Sequence, residues 1–523
     1  MELHRIALVV AGLLALSGQL SATLYRVGPG RTYTSLQAVT SSLNPGDTVD
    51  VDGNFSYAGG VVLSRSGAPS SPIVIRGIII AGQKPILSGG TNTLHIHADN
   101  YVIENLEITG GASRCIFHQG DNIVIRGAVI RDCSAQGLLG ADRGSGSLTL
   151  EFSEIYNCGN GTQNHPVYMA TDEVDFPGSV FRMQFCYLHD GTGGNLVKTR
   201  AERNEIYYNW LEGGLYRELE LIGPDPAGGV PSWIRREHSD VVGNLFWKTS
   251  TATTVRVGGD GTGDSGGRYR FVNNTFVLAP GSAGVIQTFD SLESIELHNN
   301  VFYRRGGGSV QVITNQGAIW TSGAPVIAGQ NNWVPSGSTI PAQWTGTLTG
   351  NDPGFADLNA FNLRPTPASP LLNQGTEAPL PSPGFDFPAP LFPPTYHPPQ
   401  RTITSGKAEL RSSNGVIDIG AYEAEGPTGV PDPELPPGQA LLRSHPNPFN
   451  PSTTIEFRIP KPGIVSMRIY DSLGREVARL FEGETSAGMH EIPWNAGSLA
   501  SGVYVCRLTA GELAATMRVV LTH

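Results

Sequence analysis

An eight-residue pattern that recurs along this 523-residue chain constrains its fold more than any other feature of the sequence. The copies are YVIENLEI from Tyr101, IVIRGAVI from Ile123, LTLEFSEI from Leu148, FRMQFCYL from Phe181, NEIYYNWL from Asn204, SDVVGNLF from Ser239, YRFVNNTF from Tyr269 and IELHNNVF from Ile295. The third and eighth positions are apolar in every copy, although only 39% of the chain is hydrophobic. Successive third positions lie 22 to 35 residues apart. A fixed minimum with a variable excess is typical of a solenoid coil that carries loop insertions.

The sixth position of the later copies is asparagine: Asn209, Asn244, Asn274 and Asn300. Stacked asparagines at a tight turn can hydrogen-bond along a solenoid, because each side-chain amide carries both a donor and an acceptor. This ladder favours a parallel β-solenoid over a β-sandwich. Leucine-rich repeats would need regular leucines and a helical half-repeat, which the sequence lacks.

Both ends of the repeat region resemble secreted right-handed parallel β-helix proteins of the pectate lyase-like superfamily. At the start, Tyr25-Arg26-Val27-Gly28-Pro29-Gly30 leads into a short amphipathic stretch at 35–39, where these proteins place a helix that caps the first coil. At the end, Asp418-Ile419-Gly420-Ala421-Tyr422-Glu423 is similar to their closing segment. The resemblance implies an all-β chain whose main part is a right-handed parallel β-helix.

Apolar runs and proline content divide the chain into four parts. A short apolar run at 6–16 behind His4-Arg5 predicts a signal peptide at 1–22, too short to span a membrane. The β-helix is predicted at 23–425, with its proline-rich part at 376–404 wrapped around the outside. Five prolines between Gly426 and Gly438 predict an extended linker at 426–440. We therefore expect an exported protein with a separate C-terminal domain at 441–523.

The C-terminal residues have the pattern of a small β domain. The segments VSMRIYD and YVCRL alternate as strands do, and Pro462-Gly463 marks a turn. With the run NPFNPSTTI from Asn447, they resemble the C-terminal sorting domain of type IX secretion, which is related to the Ig-like domain of flagellar hook-capping proteins. The resemblance implies an Ig-like fold, the type IX machinery as a partner, and export through the periplasm of a Gram-negative-type bacterium to the cell surface or the medium.

Three segments alternate polar and apolar residues as a strand with one solvent-facing side does: 164–168, 195–200 and 218–221. If their strands stack, their polar side chains share one exterior patch. We take the residues of this patch as the candidate catalytic residues. These residues are His165, Tyr168, Lys198, Arg200, Glu218 and Glu220. Arg256 is predicted on the same surface, with His97 and His118 on earlier coils, and these three are candidate substrate-binding residues.

This set of residue types suits β-elimination of a polysaccharide that contains uronate. A cation must neutralise the sugar carboxylate so that the neighbouring proton becomes acidic, and a Lys, His or Tyr must then remove that proton. The patch resembles the family of chondroitinase B and alginate lyases, in which a lysine base precedes an asparagine-bearing turn. Lys198-Thr199 precedes Asn204 and Asn209 in this way, whereas Glu218-Leu219-Glu220 stands where that family has Arg-His-Gly.

Three other interpretations of the patch stay open. Glu218 and Glu220 could be the acid and base of a glycoside hydrolase, since i and i+2 on a strand are about 6.5–7 Å apart. The surface could bind a glycan without cleaving it, as an adhesin does. The charges could also form an ion-pair ladder that only sets register, worth about 0–1 kcal/mol for each exposed pair.

Three further expectations concern partners, cations and cysteines. The net charge of −11 with no basic face argues against nucleic acid, and we expect a monomer. No cofactor is required by the sequence, although Asp172, Glu173 and Asp175 could hold Ca²⁺. Cys133 and Cys158 each lie three residues after an eighth position, so stacking would bring them close enough for a disulfide or leave two buried free thiols.

Overall fold

The computed structural model describes residues 22–523 except 225–236, 264, 405, 412–415, 425–440 and, in the C-terminal part, 446, 448, 450, 460, 472–474, 486–487, 498, 501, 512 and 522–523. The predicted signal peptide and linker therefore lie outside the described residues, apart from Ala22. The chain forms two compact units that divide between Ala424 and Glu425. No helix in the described ranges is long and apolar enough to cross a membrane.

The first unit is a right-handed parallel β-helix built from three long sheets, which we call sheets A, B and C. Sheet A contains Leu24–Val27, Thr48–Asp52, Ile73–Ile78, Tyr101–Glu104, Ile123–Arg126, Leu148–Glu151, Val180–Gln184, Arg203–Tyr207, His238–Val242, Gly267–Val272, Ser291–His298, Ile319–Trp320 and Ile327–Gln330. Sheet B contains Ser56–Ala58, Ile86–Ser88, Glu107–Thr109, Val129–Cys133, Glu154–Cys158, Tyr187–His189, Trp210–Glu212, Leu245–Trp247, Thr275–Leu278, Val301–Arg304, Trp333–Pro335 and Leu348–Gly350. Sheet C contains Val61–Leu63, Asn92–Ile96, Arg114–His118, Gln136–Gly140, Val167–Ala170, Val197–Arg200, Leu219–Ile222, Val255–Gly258, Ile286–Thr288 and Ile313–Asn315.

The sequence repeat is one coil of this β-helix, and its apolar columns are the core. The third positions pair across sheet A, from Ile103 with Ile125 to Phe271 with Leu297. The eighth positions pair across sheet B in the same way and end with Phe276 beside Phe302. All sixteen side chains are buried in one continuous cluster. The predicted fold class and the predicted stacking are confirmed.

The predicted asparagine ladder is present at the turn between sheets A and B. Asn209 Nδ2 donates to Asn244 Oδ1 at 2.9 Å, and each following step in the ladder is 3.0 Å. The ladder runs one coil further than the sequence pattern indicated, to Asn332. Each side-chain oxygen also accepts the backbone N–H of the asparagine before it, so the buried turns are satisfied along the whole stack.

Segments outside the three long sheets pack against the first coils and against the outside of sheet A. The helix Gln37–Thr40 packs against the strand Val61–Leu63 of the first coils. After a two-stranded antiparallel pair, Phe355–Asp357 with Asn362–Pro365, the proline-rich segment lies on the outside of sheet A. There Arg203 donates to the carbonyl of Pro388 at 2.8 Å and the N–H of Leu391 donates to Asp240 at 2.8 Å.

The cysteine prediction was wrong about which residues bond. Cys133 and Cys158 do lie opposite each other in register. The disulfide nevertheless joins Cys133 to Cys115, and Cys158 is a buried free thiol. Cys115 belongs to the sheet C strand of the preceding coil, so the bond forms across the corner between sheets B and C rather than along sheet B.

The second unit is a small Ig-like sandwich of two antiparallel sheets. One contains Leu441–His445, Ser452–Ile459 and Gly488–Asn495, and the other contains Gly463–Tyr470, Glu476–Thr485, Gly502–Ala510 and Leu513–Leu521. Inward residues of both sheets, such as Phe457, Met467 and Cys506, are buried in one core. This unit therefore has a hydrophobic core of its own.

Candidate functional site

The candidate site lies on the outer face of sheet C, where one column of side chains follows the solenoid axis. Parallel pairing places Tyr168, Lys198, Glu220, Arg256 and Gln287 opposite one another on successive coils. Their neighbours Val197 and Thr199 point inward and are fully buried. The predicted stacking of the three segments is therefore correct for these residues, with Lys198 directly over Glu220.

Two cationic side chains contact the phenol of Tyr168. Arg200 Nε donates to the Tyr168 hydroxyl at 3.0 Å, and Lys198 Nζ lies 5.5 Å from the centroid of the Tyr168 ring. Arg200 is not at the surface: it is 2% exposed, and its Nη1 donates to the carbonyl of Gly223 at 2.5 Å. Tyr168 and Lys198 are half-buried and reach solvent. One cation thus binds the phenol oxygen from the buried side, and a second lies beside the phenol ring.

Asp260 completes this cluster and was missed by the sequence analysis. Its Oδ2 lies 2.8 Å from Lys198 Nζ and 3.2 Å from Arg200 Nη2. Burial alone would raise the pKa of Asp260, but the charge and hydrogen bond of Lys198 and the hydroxyl of Thr262 outweigh it and lower that pKa. A signal was present in the sequence, because an acidic residue in the glycine-rich run 258–263 directly follows the strand that carries Arg256.

His165 belongs to the site as a neutral side chain. Burial, and then the charge of Lys198, lowers the pKa of His165 to about 3. Its Nδ1 accepts the backbone N–H of Asn195 at 2.8 Å, so the ring proton is on Nε2 and His165 can donate but not accept there. Gly194 permits this contact, because a Cβ at that position, with φ of +57°, would lie 2.1 Å from Nδ1.

Glu220 connects the histidine to the cations. The side chain of Asn195 donates to Glu220 Oε2 at 2.6 Å, Lys198 Nζ lies 3.6 Å from the same oxygen, and Arg256 pairs with Oε1. Glu220 is fully buried by these partners. Arg256 thus lies on the predicted surface, although its guanidinium is already paired with a carboxylate.

The prediction that Glu218 shares the exterior patch was wrong. Glu218 is fully buried and pairs with Lys248, whose Nζ lies 2.9 Å from Glu218 Oε2 and whose side chain is also 0% exposed. Burial, partly offset by Lys248, raises the pKa of Glu218 to about 7. Glu218 and Glu220 therefore do not form the solvent-reached acid and base pair that a hydrolase would need.

The two predicted binding histidines are separated from this cluster. His118 is fully buried inside the solenoid, and burial lowers its pKa to about 4, so its assignment to a binding surface was wrong. His97 is exposed and stacks on His95, with ring centroids 5.3 Å apart. His95 does lie in the column of Tyr168, but three coils earlier, so neither ring contacts the cluster.

The predicted cation ligands do not converge. The carboxylate of Asp172 accepts the backbone N–H groups of Gly144, Val174 and Asp175, as in a loop cap. Glu173 is buried and Asp175 is exposed. Among the described residues, no group of three or more His, Cys, Asp or Glu side chains is placed to hold a metal ion. The calcium site stays a prediction, and the chemistry below uses only the chain's own side chains.

Comparison with known proteins identifies the C-terminal unit. Residues 444–522 match the family described as the secretion system C-terminal sorting domain. The resemblance to the type IX secretion sorting domain is confirmed. The protein is thus exported by that system, to the medium or the cell surface, and its C-terminal domain interacts with the secretion machinery.

Solved structures similar to the chain are β-helix proteins of low sequence identity. The pectate lyase Pel9A is 12% identical, with a TM-score of 0.42 over 77% of this chain and 98% of its own. An alginate lyase from Paenibacillus sp. str. FPU-7 is 17% identical, with a TM-score of 0.40 over 57% of this chain and 98% of its own. XylC in complex with xylose is 9% identical, with a TM-score of 0.42 over 64% of this chain and 87% of its own. No curated protein matches the chain. At these scores the likenesses carry no argument about activity.

Proposed function

We propose that this secreted protein is a polysaccharide lyase that cleaves a uronate-containing glycan by β-elimination at the Tyr168 cluster. The observation that carries the proposal is the phenol oxygen of Tyr168, which accepts a hydrogen bond from Arg200 at 3.0 Å while Lys198 lies beside its ring. A half-exposed tyrosine between two cations is more than an ion-pair ladder needs, because such a ladder is satisfied by charges alone.

The two cations supply the first requirement of the reaction. A uronate loses the proton on C5 only if the negative charge of its C6 carboxylate is neutralised as the carbanion forms. Lys198 and Arg200 already share one carboxylate oxygen, that of Asp260, so their geometry suits a carboxylate. Arg200 is fixed by its bond to Gly223, which keeps its fork in one orientation.

Tyr168 is the group best placed to remove the proton. His165 is excluded as the base because its Nδ1 is occupied and its Nε2 carries the proton. The ammonium group of Lys198 is already engaged by two carboxylates, Asp260 at 2.8 Å and Glu220 at 3.6 Å, and its role is to pair with a carboxylate. Arg200, by contrast, donates to the Tyr168 oxygen and stabilises negative charge on it.

The elimination can then proceed with one side chain as both base and acid. The phenolate of Tyr168 takes the C5 proton, the C4–O bond breaks with its electron pair on the leaving oxygen, and a double bond forms between C4 and C5. The phenol then gives the same proton to the leaving oxygen, so Tyr168 returns to its starting state. His165 and Asn195 act as positioning residues, since they hold Glu220 and through it Lys198.

The test is cleavage of polygalacturonate, alginate and chondroitin by the full-length protein, followed by ultraviolet absorbance and by new reducing ends. Absorbance with new ends supports a lyase. New ends alone would indicate a hydrolase, and retention on the glycan without cleavage would indicate a binding protein. Either of the last two outcomes would refute the proposal.

Variants connect the activity to the site. Tyr168→Phe and Lys198→Ala should lower turnover by about 10²-fold or more, as expected for groups that act on the reacting atoms. Arg200→Ala should weaken binding and also lower turnover, because Arg200 stabilises negative charge on the Tyr168 oxygen. His165→Ala should lower turnover less than Tyr168→Phe does. The matched control is Tyr156→Phe, a tyrosine on sheet B that stacks on His189, 4.9 Å between ring centroids. Full activity in folded Tyr168→Phe would place the active site elsewhere.

A further inference from the structure

We propose that Asp260 occupies the place of the substrate carboxylate, and that an acidic sugar binds Lys198 and Arg200 by displacing it. The inference rests on the proposed function in one respect, namely that the ligand is a uronate. It goes further because it assigns the carboxylate subsite and the step that opens it.

The contacts of Asp260 are those expected of a bound carboxylate. One oxygen bridges Lys198 and Arg200 at 2.8 and 3.2 Å. The other accepts the hydroxyl of Thr262 at 2.5 Å and the N–H of Thr262 at 3.0 Å. The Thr262 hydroxyl lies 2.8 Å from Arg200 Nη2 as well. Four donor groups from two strand residues and one loop residue therefore surround one carboxylate.

The position of this carboxylate matches the chemistry of the neighbouring phenol. Arg200 donates through Nε to Tyr168 and through Nη2 to Asp260, so the phenol oxygen and the carboxylate are bound to the same guanidinium. In a uronate, C5 is bonded directly to the carboxylate carbon. A sugar carboxylate in the place of the Asp260 carboxylate would thus bring its C5 beside Tyr168.

Asp260 and a sugar carboxylate cannot share the subsite. Two carboxylates on the same two cations would lie within about 4 Å of each other, where like charges oppose ionisation of both. The side chain of Asp260 is 8% exposed, so it also blocks the approach to Lys198, which is 13% exposed. Binding therefore requires Asp260 to leave.

The segment that carries Asp260 is suited to that movement. In Gly258–Gly263 four of six residues are glycine, and Gly258 and Gly261 have φ values of +101° and +85°. Glycine crosses between backbone regions at low cost, so such a segment can swing without breaking the strands beside it. The movement would break the hydrogen bond from the N–H of Gly261 to Asp290, 2.7 Å, and the contact of the Thr262 hydroxyl with Arg200 Nη2, 2.8 Å.

The experiment measures binding of galacturonate, glucuronate and mannuronate monosaccharides by calorimetry at fixed ionic strength, with galactose as the uncharged probe. Monosaccharides have no leaving group at C4, so no turnover interferes. Asp260→Asn keeps the shape of the side chain and removes its charge. We expect at least one uronate to bind Asp260→Asn about 10-fold or more tightly than it binds wild type, since a competing charge is removed, with no gain for galactose.

The matched control is Asp50→Asn, which removes a carboxylate from an ion pair with Arg76 on sheet A, 2.8 Å apart. It should bind all four sugars as wild type does. Asp260→Ala provides a second variant, and melting temperatures within a few degrees of wild type show that both are folded. Equal or weaker uronate binding by the two Asp260 variants would overturn the inference and would make Asp260 a structural partner of Lys198.

Failure of this inference is distinguishable from failure of the proposed function. If wild type cleaves a polyuronate but Asp260→Asn binds no uronate more tightly, the lyase activity is supported and the displacement of Asp260 is refuted. If Asp260→Asn binds a uronate more tightly while wild type cleaves no glycan, the carboxylate subsite is supported and the lyase activity is refuted.

Discussion

Removal of Lys248 should destabilise the β-helix, because Lys248 is the buried cation that pairs with Glu218. The two side chains are 0% exposed and their charged atoms are 2.9 Å apart. Removing one member of a buried ion pair typically costs about 3–5 kcal/mol, because the other charge stays buried without compensation. The Lys248→Met variant should therefore lose about 3–5 kcal/mol of unfolding free energy. Part of this loss, about 1 kcal/mol, belongs to the hydrogen bond that Lys248 gives to the carbonyl of Tyr216.

The cost should depend on pH in a defined direction. Burial raises the pKa of Glu218 to about 7 even with Lys248 present, and loss of the lysine must raise it further. A carboxyl whose folded pKa is above its unfolded value is favoured by folding when protonated, and this advantage is lost as pH rises through the folded pKa. The penalty of Lys248→Met should accordingly be larger at pH 8 than at pH 6, by up to about 1.4 kcal/mol, since the two proteins differ only above the wild-type pKa of about 7.

A double-mutant cycle separates the pair from its surroundings. Glu218→Leu combined with Lys248→Met removes both charges and fills similar volume, so the double variant should lie within about 1–2 kcal/mol of wild type. Urea denaturation of the full-length protein, followed by circular dichroism, gives the free energies. The control is Arg76→Met, which breaks the partly exposed pair with Asp50 and should cost about 0–1 kcal/mol.

The result that would refute this reasoning is a small effect of Lys248→Met. A loss below about 1 kcal/mol at pH 8 would mean that Glu218 does not depend on its lysine. In that case the carboxyl would be available for chemistry, and the hydrolase interpretation of Glu218 would return. Activity gives a second check, because the double variant should keep wild-type turnover on any glycan that the protein cleaves.

Three further predictions test other parts of the molecule. Asn274→Ala should destabilise the β-helix by about 2–4 kcal/mol in urea unfolding, because it leaves the buried N–H groups of Asn244 without their acceptor; an unchanged midpoint would contradict the ladder's role. The melting temperature should fall as pH drops from about 6.5 towards 4, because burial lowers the pKa of His118 to about 4 and the unfolded chain binds more protons in this range. The variant His118→Gln should show a smaller fall in melting temperature over the same pH range, and an equal fall would contradict the prediction. Deletion of residues 441–523 should leave a folded β-helix retained in the cell envelope, as seen by fractionation, and normal export of the truncated protein would contradict the sorting role.

Much of the fold could be predicted from the sequence because each coil repeats the same pattern of apolar positions. An apolar side chain at the third and eighth positions must leave water on every turn, and the only arrangement that buries all of them is a stack. The asparagines follow from the same repetition, since each amide finds its partner one coil away. The pairing of Lys198 with Glu220 was equally accessible, because both lie in alternating segments of known register.

The details of the site could not be read in this way. Alternation shows which residues share a face but not which face is inside, so His118 was placed outside although it lies in the core. Glu218 and Glu220 have the same alternation, and only the approach of Lys248 from the next coil separates a buried structural carboxylate from one that meets the cations.

The tertiary structure alone decided which contacts form between loops and strands. Asp260 reaches Lys198 across 62 positions of sequence, through a glycine-rich loop that obeys no repeat. Cys133 was in register with Cys158, yet it bonds to Cys115 across a corner of the coil. The sequence repeat determines the contacts that recur in every coil, because every coil must bury apolar side chains at the same positions. The site combines such a repeated column on sheet C with the loop that carries Asp260, which occurs once in the chain and whose position depends on the packed coils beneath it.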